Sequence, residues 1–155
     1  MARVLCIANQ KGGVGKTTTA VNLADALAKS NRRTLLVDLD PQCNATSALG
    51  AKPSERHPLL AEEPLSHLQY ETPRETLAVL PGSRNMEDIQ RLAGSDEEDR
   101  RHLLSRLATT HTTFDTVVID CPPSLGQLTH TALMASTEVL MPIQCEFFAM
   151  EGLTQ

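Results

Sequence analysis

Val4-Leu5-Cys6-Ile7-Ala8-Asn9-Gln10-Lys11-Gly12-Gly13-Val14-Gly15-Lys16-Thr17-Thr18 is the stretch that decides the fold. Val4 to Ala8 is a short apolar run bounded by polar residues, as suits a strand buried in a parallel sheet. Asn9 to Thr18 is glycine-rich. Beyond it Ala20, Leu23, Ala24, Leu27 and Ala28 recur at i, i+3, i+4, i+7 and i+8. That spacing is one face of an amphipathic helix, and Asn31 is a suitable C-terminal stop. Thr34 to Val37 is a second apolar run, closed by Asp38-Leu39-Asp40-Pro41. Strand, helix, strand at these lengths is a βαβ unit, which predicts a parallel sheet with a right-handed crossover.

Outward from this unit the alternation continues. Leu77 to Leu80, before Pro81-Gly82, reads as a third strand, Phe114 to Asp120 as a fourth and Val139 to Ile143 as a fifth. Ser95-Asp96-Glu97-Glu98 has the form of a capping box. Asp96 with Arg100 and Glu97 with Arg101 are i,i+4 pairs on the helix that follows, which buries Leu103, Leu104 and Leu107. Leu125 to Ala135 is helical, and Phe147 to Gln155 begins another helical pattern. Gly50 to Thr76 contains Pro53, Pro58, Pro64 and Pro73 and has little periodicity, so it reads as a loop with one short helix near Leu65 to Tyr70. Strands alternating with helices predict an α/β doubly wound sheet.

Composition narrows the class. A chain of 155 residues can bury roughly 70% of its unfolded surface. Its 14 basic and 19 acidic residues give a net charge of −5, which does not mark a nucleic-acid binder by bulk charge. No apolar run approaches the roughly 18 residues of a membrane span, and the N-terminal apolar stretch runs straight into Asn9-Gln10-Lys11, unlike a signal peptide. The expected location is cytoplasmic. Cys6, Cys43, Cys121 and Cys145 are scattered and the five His are not at ligand spacing, so buried or loop thiols are expected rather than metal–thiolate chemistry.

The glycine-rich loop lies between a strand and a helix. Its glycines let successive backbone N–H groups approach an anion, and the helix N-terminus adds partial positive charge. Lys16 supplies a full charge toward phosphates and Thr17 a hydroxyl for Mg²⁺. The usual phosphate-loop pattern asks for glycine at position 10, where this chain has Gln10, and the dinucleotide fingerprint fails because Thr18 stands at its last glycine.

Lys11-Gly12-Gly13-Val14-Gly15-Lys16-Thr17 resembles the deviant Walker A motif of the ParA/MinD ATPases, with Lys11 as the extra signature lysine. Asp38-Leu39-Asp40-Pro41-Gln42 with Asn44-Ala45-Thr46 is similar to the Walker A′ region of the ParA/Soj branch. Val117-Val118-Ile119-Asp120-Cys121-Pro122-Pro123-Ser124-Leu125-Gly126 is similar to its Walker B. Pro142-Ile143-Gln144-Cys145-Glu146 with Glu151-Gly152-Leu153 resembles the segment after its next strand. The four stretches leave the middle, about Ala51 to Arg74, uncovered. Cys43 stands where this branch commonly has glycine, so a positive φ there would cost strain.

The resemblance implies a P-loop NTPase with a mostly parallel sheet and helices on both faces, hydrolysing MgATP slowly. Gly12, Gly13, Val14, Gly15, Lys16, Thr17 and Thr18 would bind the nucleotide, and Thr17 with Asp120 would hold Mg²⁺. Asp120 should end a strand beside Val4–Ala8; a helix-capping aspartate is its other reading. Asp40 would orient the attacking water. Asp38 reads either as loop support or as the metal's outer shell, and Pro122-Pro123 either as a γ-phosphate sensor or as a rigid turn. Lys11 would reach across an ATP-dependent homodimer to the partner's nucleotide, as an arginine finger does, with Gly12 at the close approach. Partition relatives work with a ParB-like partner and non-specific DNA, which implies nucleoid association for a longer form. Two other readings stay open: an ATPase positioning a non-DNA cargo, and a remnant that keeps the loop without activity. The last helical pattern ends inside itself at Gln155, so residues 1–155 are expected to be the N-terminal part of a larger domain, its sheet incomplete at the C-terminus.

Overall fold

The computed structural model describes residues 2–92, 97–110, 113–124 and 126–144. Four strands, β1 (Arg3–Ile7), β2 (Thr34–Asp38), β4 (Leu77–Leu80) and β5 (Thr116–Asp120), pair in parallel in the order β4-β2-β5-β1. A short β6 (Glu138–Leu140) adds in parallel beside β1. At the other edge a two-residue β3 (Tyr70–Glu71) pairs antiparallel with β4. The sheet is thus mixed, with six strands, mostly parallel.

The inner strands are apolar along their length because both faces are covered. On one face lie α1 (Lys16–Lys29) and α2 (Asn44–Ala48), burying Ala20, Ala24, Ala28 and Ala45 against Ile7, Leu36, Val79 and Val118. On the other lie a 3₁₀ turn (Pro58–Leu60), α3 (Leu65–Leu68), α4 (Met86–Leu92), α5 (Glu97–Thr109) and α6 (Gln127–Met134). They bury Leu59, Leu65, Leu92, Leu107 and Leu128 against Val4, Leu35, Leu80, Val117 and Ile119. The doubly wound architecture expected from the sequence is the one observed.

Several sequence expectations are sharpened. Helix α1 starts at Lys16, inside the glycine-rich stretch, and its buried stripe is Lys16, Ala20, Ala24 and Ala28, with Leu23 and Leu27 half-buried at its flanks. The fifth predicted strand is shorter than read, because the ladder to β1 ends at Leu140. Helices α2 and α4 and the edge strand β3 have no counterpart in the sequence pattern. Cys43 adopts φ 53°, the left-handed conformation that would carry strain at this position. Cys6, Cys43 and Cys121 are buried thiols, with the Cys6 and Cys121 sulfurs 3.3 Å apart. The helix predicted after the capping box is α5, where Leu107 is buried and Leu104 half-buried. Ser95, Asp96, Cys145 and the helical pattern from Phe147 lie outside the described residues, as do the side chains of Glu97, Arg100 and Leu103. Among the described residues no helix is long and apolar enough to cross a membrane.

Candidate functional site

Because β5 inserts between β1 and β2, Asp120 ends its strand flanked by Ile7 on one side and Asp38 on the other. This is the carboxyl edge, where α/β sheets receive ligands. The glycine-rich loop rises from β1 beside it. Gly13 and Gly15 have φ of 74° and 89°, conformations that cost a side chain strain. Gly15 is the residue before α1, and no side chain caps the first turn of that helix. Its amino-terminal N–H groups have no intrahelical partner and are available to an anion.

Gly12, Gly13, Gly15, Lys16, Thr17, Thr18 and Asp40 line one cleft of about 360 Å³. Gln42, Asn44 and Pro123 complete its wall. Val14 is buried under the loop. Lys16, only 6% exposed, donates from Nζ to the Lys11 carbonyl at 3.0 Å. Lys11 itself is exposed and its side chain is not part of the cleft wall. Of the residues predicted to bind the nucleotide, Gly12, Gly13, Gly15, Lys16, Thr17 and Thr18 share this cleft, while Val14 is buried behind it and Lys11 is not in its wall.

Asp120 has no exposed surface, and among the described residues neither carboxylate oxygen has a hydrogen-bond partner within 3.5 Å, the Thr17 hydroxyl being the nearby polar group. Burial pushes its carboxyl up to about 7; Thr17 pulls it down, the Asp38 and Asp40 charges raise it, and Lys16 lowers it least. A buried carboxylate in this state is costly unless a cation compensates it. Thr17 beside it supplies the neutral oxygen that a hard cation accepts.

Asp38 is also fully buried, and burial raises its carboxyl despite three bonds. It accepts from the Asp40 N–H at 3.1 Å, the Thr46 N–H at 2.8 Å and the Thr46 hydroxyl at 2.6 Å. Of its two sequence readings, these bonds realise loop support. The loop it holds presents Asp40, whose carboxylate accepts from the Gln42 N–H at 2.8 Å. The arrangement can seat a polyanion on the loop and helix terminus, and Thr17 with Asp120 could hold a divalent cation.

The AAA domain family pattern matches residues 2–155. The chain belongs to this family. The match includes the middle segment that the four motifs left uncovered. The chromosome partitioning protein ParA of Myxococcus xanthus is 46% identical over 161 residues, covering 100% of this chain and 56% of that protein. The chain thus spans little more than half the length of that relative. Similar identity, 45%, holds for the chromosome-partitioning ATPase Soj of Treponema pallidum, of which 62% is covered. Among solved structures, cobyrinic acid a,c-diamide synthase from Mycobacterium smegmatis with bound ATP analog and magnesium superposes with a TM-score of 0.88 at 40% identity. That alignment covers 100% of this chain and 65% of the synthase. The ParA/Soj resemblance read from short motifs extends over the whole of this AAA-domain chain.

Four cleft-shaping residues escape sequence reasoning. Asn9 accepts from the Lys11 N–H at 3.0 Å and donates to the Pro142 carbonyl at 2.7 Å, tying the loop to the segment after β6. Gln144 donates to the Gly13 carbonyl at 3.0 Å. Gln42 and Asn44 reach the cleft from the loop after Asp40. Asn9 offers the one readable signal, an Asn placed to accept from the N–H two residues on, as in an Asx turn. Gln144 depends on distant backbone that no local pattern specifies, and Gln42 and Asn44 stand inside a quoted motif stretch that assigned them no role.

Proposed function

We propose that this chain carries the MgATP site of a ParA-like P-loop ATPase that couples slow hydrolysis to ATP-dependent homodimerisation in chromosome or plasmid partitioning. The observation that carries the reading is Asp120, a fully buried carboxylate beside Thr17 with no hydrogen-bond partner within 3.5 Å among the described residues. Such a group fits a divalent cation, which would compensate its charge and that of phosphates seated on the loop. The ATP analog and magnesium in the M. smegmatis synthase support the choice of nucleotide.

In this reading the backbone of Gly12 to Thr18 cradles the phosphates and Lys16 exchanges its Lys11 carbonyl for a phosphate oxygen, a stronger acceptor. Thr17 and Asp120 hold Mg²⁺. Asp40 orients the attacking water; the neighbouring γ-phosphate charge favours orientation over proton abstraction. Lys11 acts across the dimer on the partner's nucleotide, offsetting transition-state charge. Gly12 supports this: its φ is not positive and a Cβ there would meet nothing within 4 Å. The space in front of Gly12 is open, so a ligand or partner can approach its backbone closely. A ParB-like partner and non-specific DNA are proposed for the whole protein.

The test combines thermal unfolding, mass in solution and phosphate release. MgATP at 100 times its Kd is expected to stabilise the chain by about 2.7 kcal/mol, with the Mg²⁺ requirement lost in Asp120→Ala. Lys11→Ala is expected to keep that stabilisation but lose both dimer mass and turnover. No Mg²⁺-dependent stabilisation in the parent chain would sink the nucleotide site. Unchanged dimerisation and hydrolysis in Lys11→Ala would sink the cross-dimer role.

A further inference from the structure

His57 comes from the proline-rich middle segment, outside every motif of the site. It is 1% exposed. Its backbone N–H donates to the Asp88 carboxylate at 2.6 Å, and its Nδ1 accepts from the Leu59 N–H at 3.2 Å. Nε2 lies 3.0 Å from the carbonyl oxygen of Asp38. A backbone N–H can only donate and a carbonyl can only accept, so the ring is neutral with its proton on Nε2. Every polar atom of this buried residue therefore has a partner.

The place of the Asp38 bond gives it meaning. The β2–β4 ladder stops at Val37 and Leu80. The next residue of that chain is Pro81, which has no N–H to offer. The Asp38 carbonyl thus meets the His57 ring just past the end of this ladder. The same residue spends its carboxylate on the Asp40 N–H and on Thr46, whose hydroxyl in turn accepts from the Gly82 N–H at 2.8 Å. Backbone and side chain of Asp38 are pinned from opposite directions, and the loop carrying Asp40 departs from that point.

We propose that His57 is a positioning residue: by fixing the Asp38 peptide through Nε2–H it sets the Asp40 loop in its cleft-facing geometry, so that the middle segment and α4 hold the reaction site in register. Its catalytic consequence rests on Asp40 orienting water; its structural consequence does not.

The ring can be split chemically. His57→Asn keeps an acceptor near Nδ1 for Leu59 but has nothing that reaches Asp38. His57→Gln places an amide N–H near the Nε2 position. Amide hydrogen exchange of the full chain, resolved by NMR, is the first readout. One lost hydrogen bond corresponds to about tenfold faster exchange at Asp40, Gln42 and Thr46 in His57→Asn, with the α1 amides unchanged. His57→Gln is expected to restore exchange at those three sites to within about threefold of the parent. Asp88→Asn, a milder change that keeps an acceptor for the His57 N–H, is expected to accelerate the same three amides by about threefold and serves if His57→Asn does not fold. The second readout is turnover: His57→Asn lowers kcat about tenfold with KM for MgATP unchanged, and His57→Gln rescues it.

Unchanged exchange in the segment overturns the proposal. So does acceleration spread equally over α1 and β1, or a Gln variant no better than Asn. A fall in KM-dependent binding rather than kcat overturns the catalytic consequence. If the parent chain shows no turnover at all, the MgATP reading fails, and the exchange pattern still decides whether His57 positions the loop.

Discussion

Cys43 and Gly82 pose a residue-scale conflict that a double-mutant cycle can resolve. Cys43 sits at φ 53° and ψ 36° with no exposed surface. A left-handed conformation costs an L-residue roughly 1–2 kcal/mol, and the burial of its sulfur offsets part of that. The sulfur is accommodated because position 82 is glycine. A Cβ at Gly82 would come within 3.0 Å of the Cys43 sulfur, 3.2 Å of the Asp38 Cγ and 3.3 Å of the Asp38 carbonyl oxygen. Gly82→Ala is therefore expected to destabilise by about 1–3 kcal/mol through overpacking. Cys43→Gly relieves strain while removing a buried atom, and its net change is expected to stay within about 1 kcal/mol. The double variant should recover at least about 0.5 kcal/mol relative to the sum, since the two sites touch. Urea unfolding of the four proteins measures this, and strict additivity would show that the Asp38 backbone, not the sulfur, sets the clash.

Elements differ in how openly the sequence declares them, and α1 shows why. Its end is a local device: Asn31 has φ 59°, its N–H donates to Ala28 and the Arg32 N–H donates to Leu27, the two bonds of a Schellman motif. Asn31→Gly is expected to leave stability equal or slightly higher, while Asn31→Val should cost about 1–2 kcal/mol. Equal stability of the two variants in urea would mean that the backbone reroutes at this end. Such local chemistry is legible in sequence, and so are β1, β2, β4 and β5, because burial on both faces writes each as a continuous apolar run. Helix α2 is not legible: Asn44-Ala45-Thr46-Ser47-Ala48 is too short for a period, and its order comes from Thr46 bonding Asp38. The exposed two-residue β3 carries no pattern of its own. The segment around Arg74 is held by the bond from its guanidinium to Asp25 on α1, 49 positions away. The site divides in the same way. Gly12 to Thr18 reads as a candidate phosphate loop because its chemistry is contiguous, and Asn9 reads through its bond from the Lys11 N–H, whereas the Asn9–Pro142, Gln144–Gly13 and His57–Asp38 bonds run to backbone that only the fold brings near.

At the scale of the whole molecule, His57 and Asp120 pull the pH dependence of the ligand-free chain in opposite directions, and Asp38, also raised by burial, acts in the sense of Asp120. His57 is fully buried and neutral; burial lowers it to about 4, against the weaker raising effects of the Asp38 bond and the Asp88 charge. Between its ordinary 6.5 and 4 the unfolded chain binds the extra proton, so stability is lost as pH falls through that window. The loss is on the order of 3 kcal/mol. Asp120 works in reverse. Its carboxyl is raised to about 7 from 3.8, so in that window the folded chain binds the extra proton and stability falls as pH rises. That loss is on the order of 4 kcal/mol when complete. Between pH 4 and 6.5 the two slopes largely cancel. Asp120→Asn removes one of them: it is expected to be more stable than the parent at pH 8 and to lose up to about 3 kcal/mol between pH 6.5 and 4, less whatever the raised Asp38 carboxyl returns. His57→Gln removes the other and should gain stability over the same descent. Denaturant unfolding at half-unit pH steps reads both slopes. Parallel profiles for parent and Asp120→Asn would mean that Asp120 carries no charge penalty in the folded chain, and with it would go the argument that this carboxylate awaits a cation.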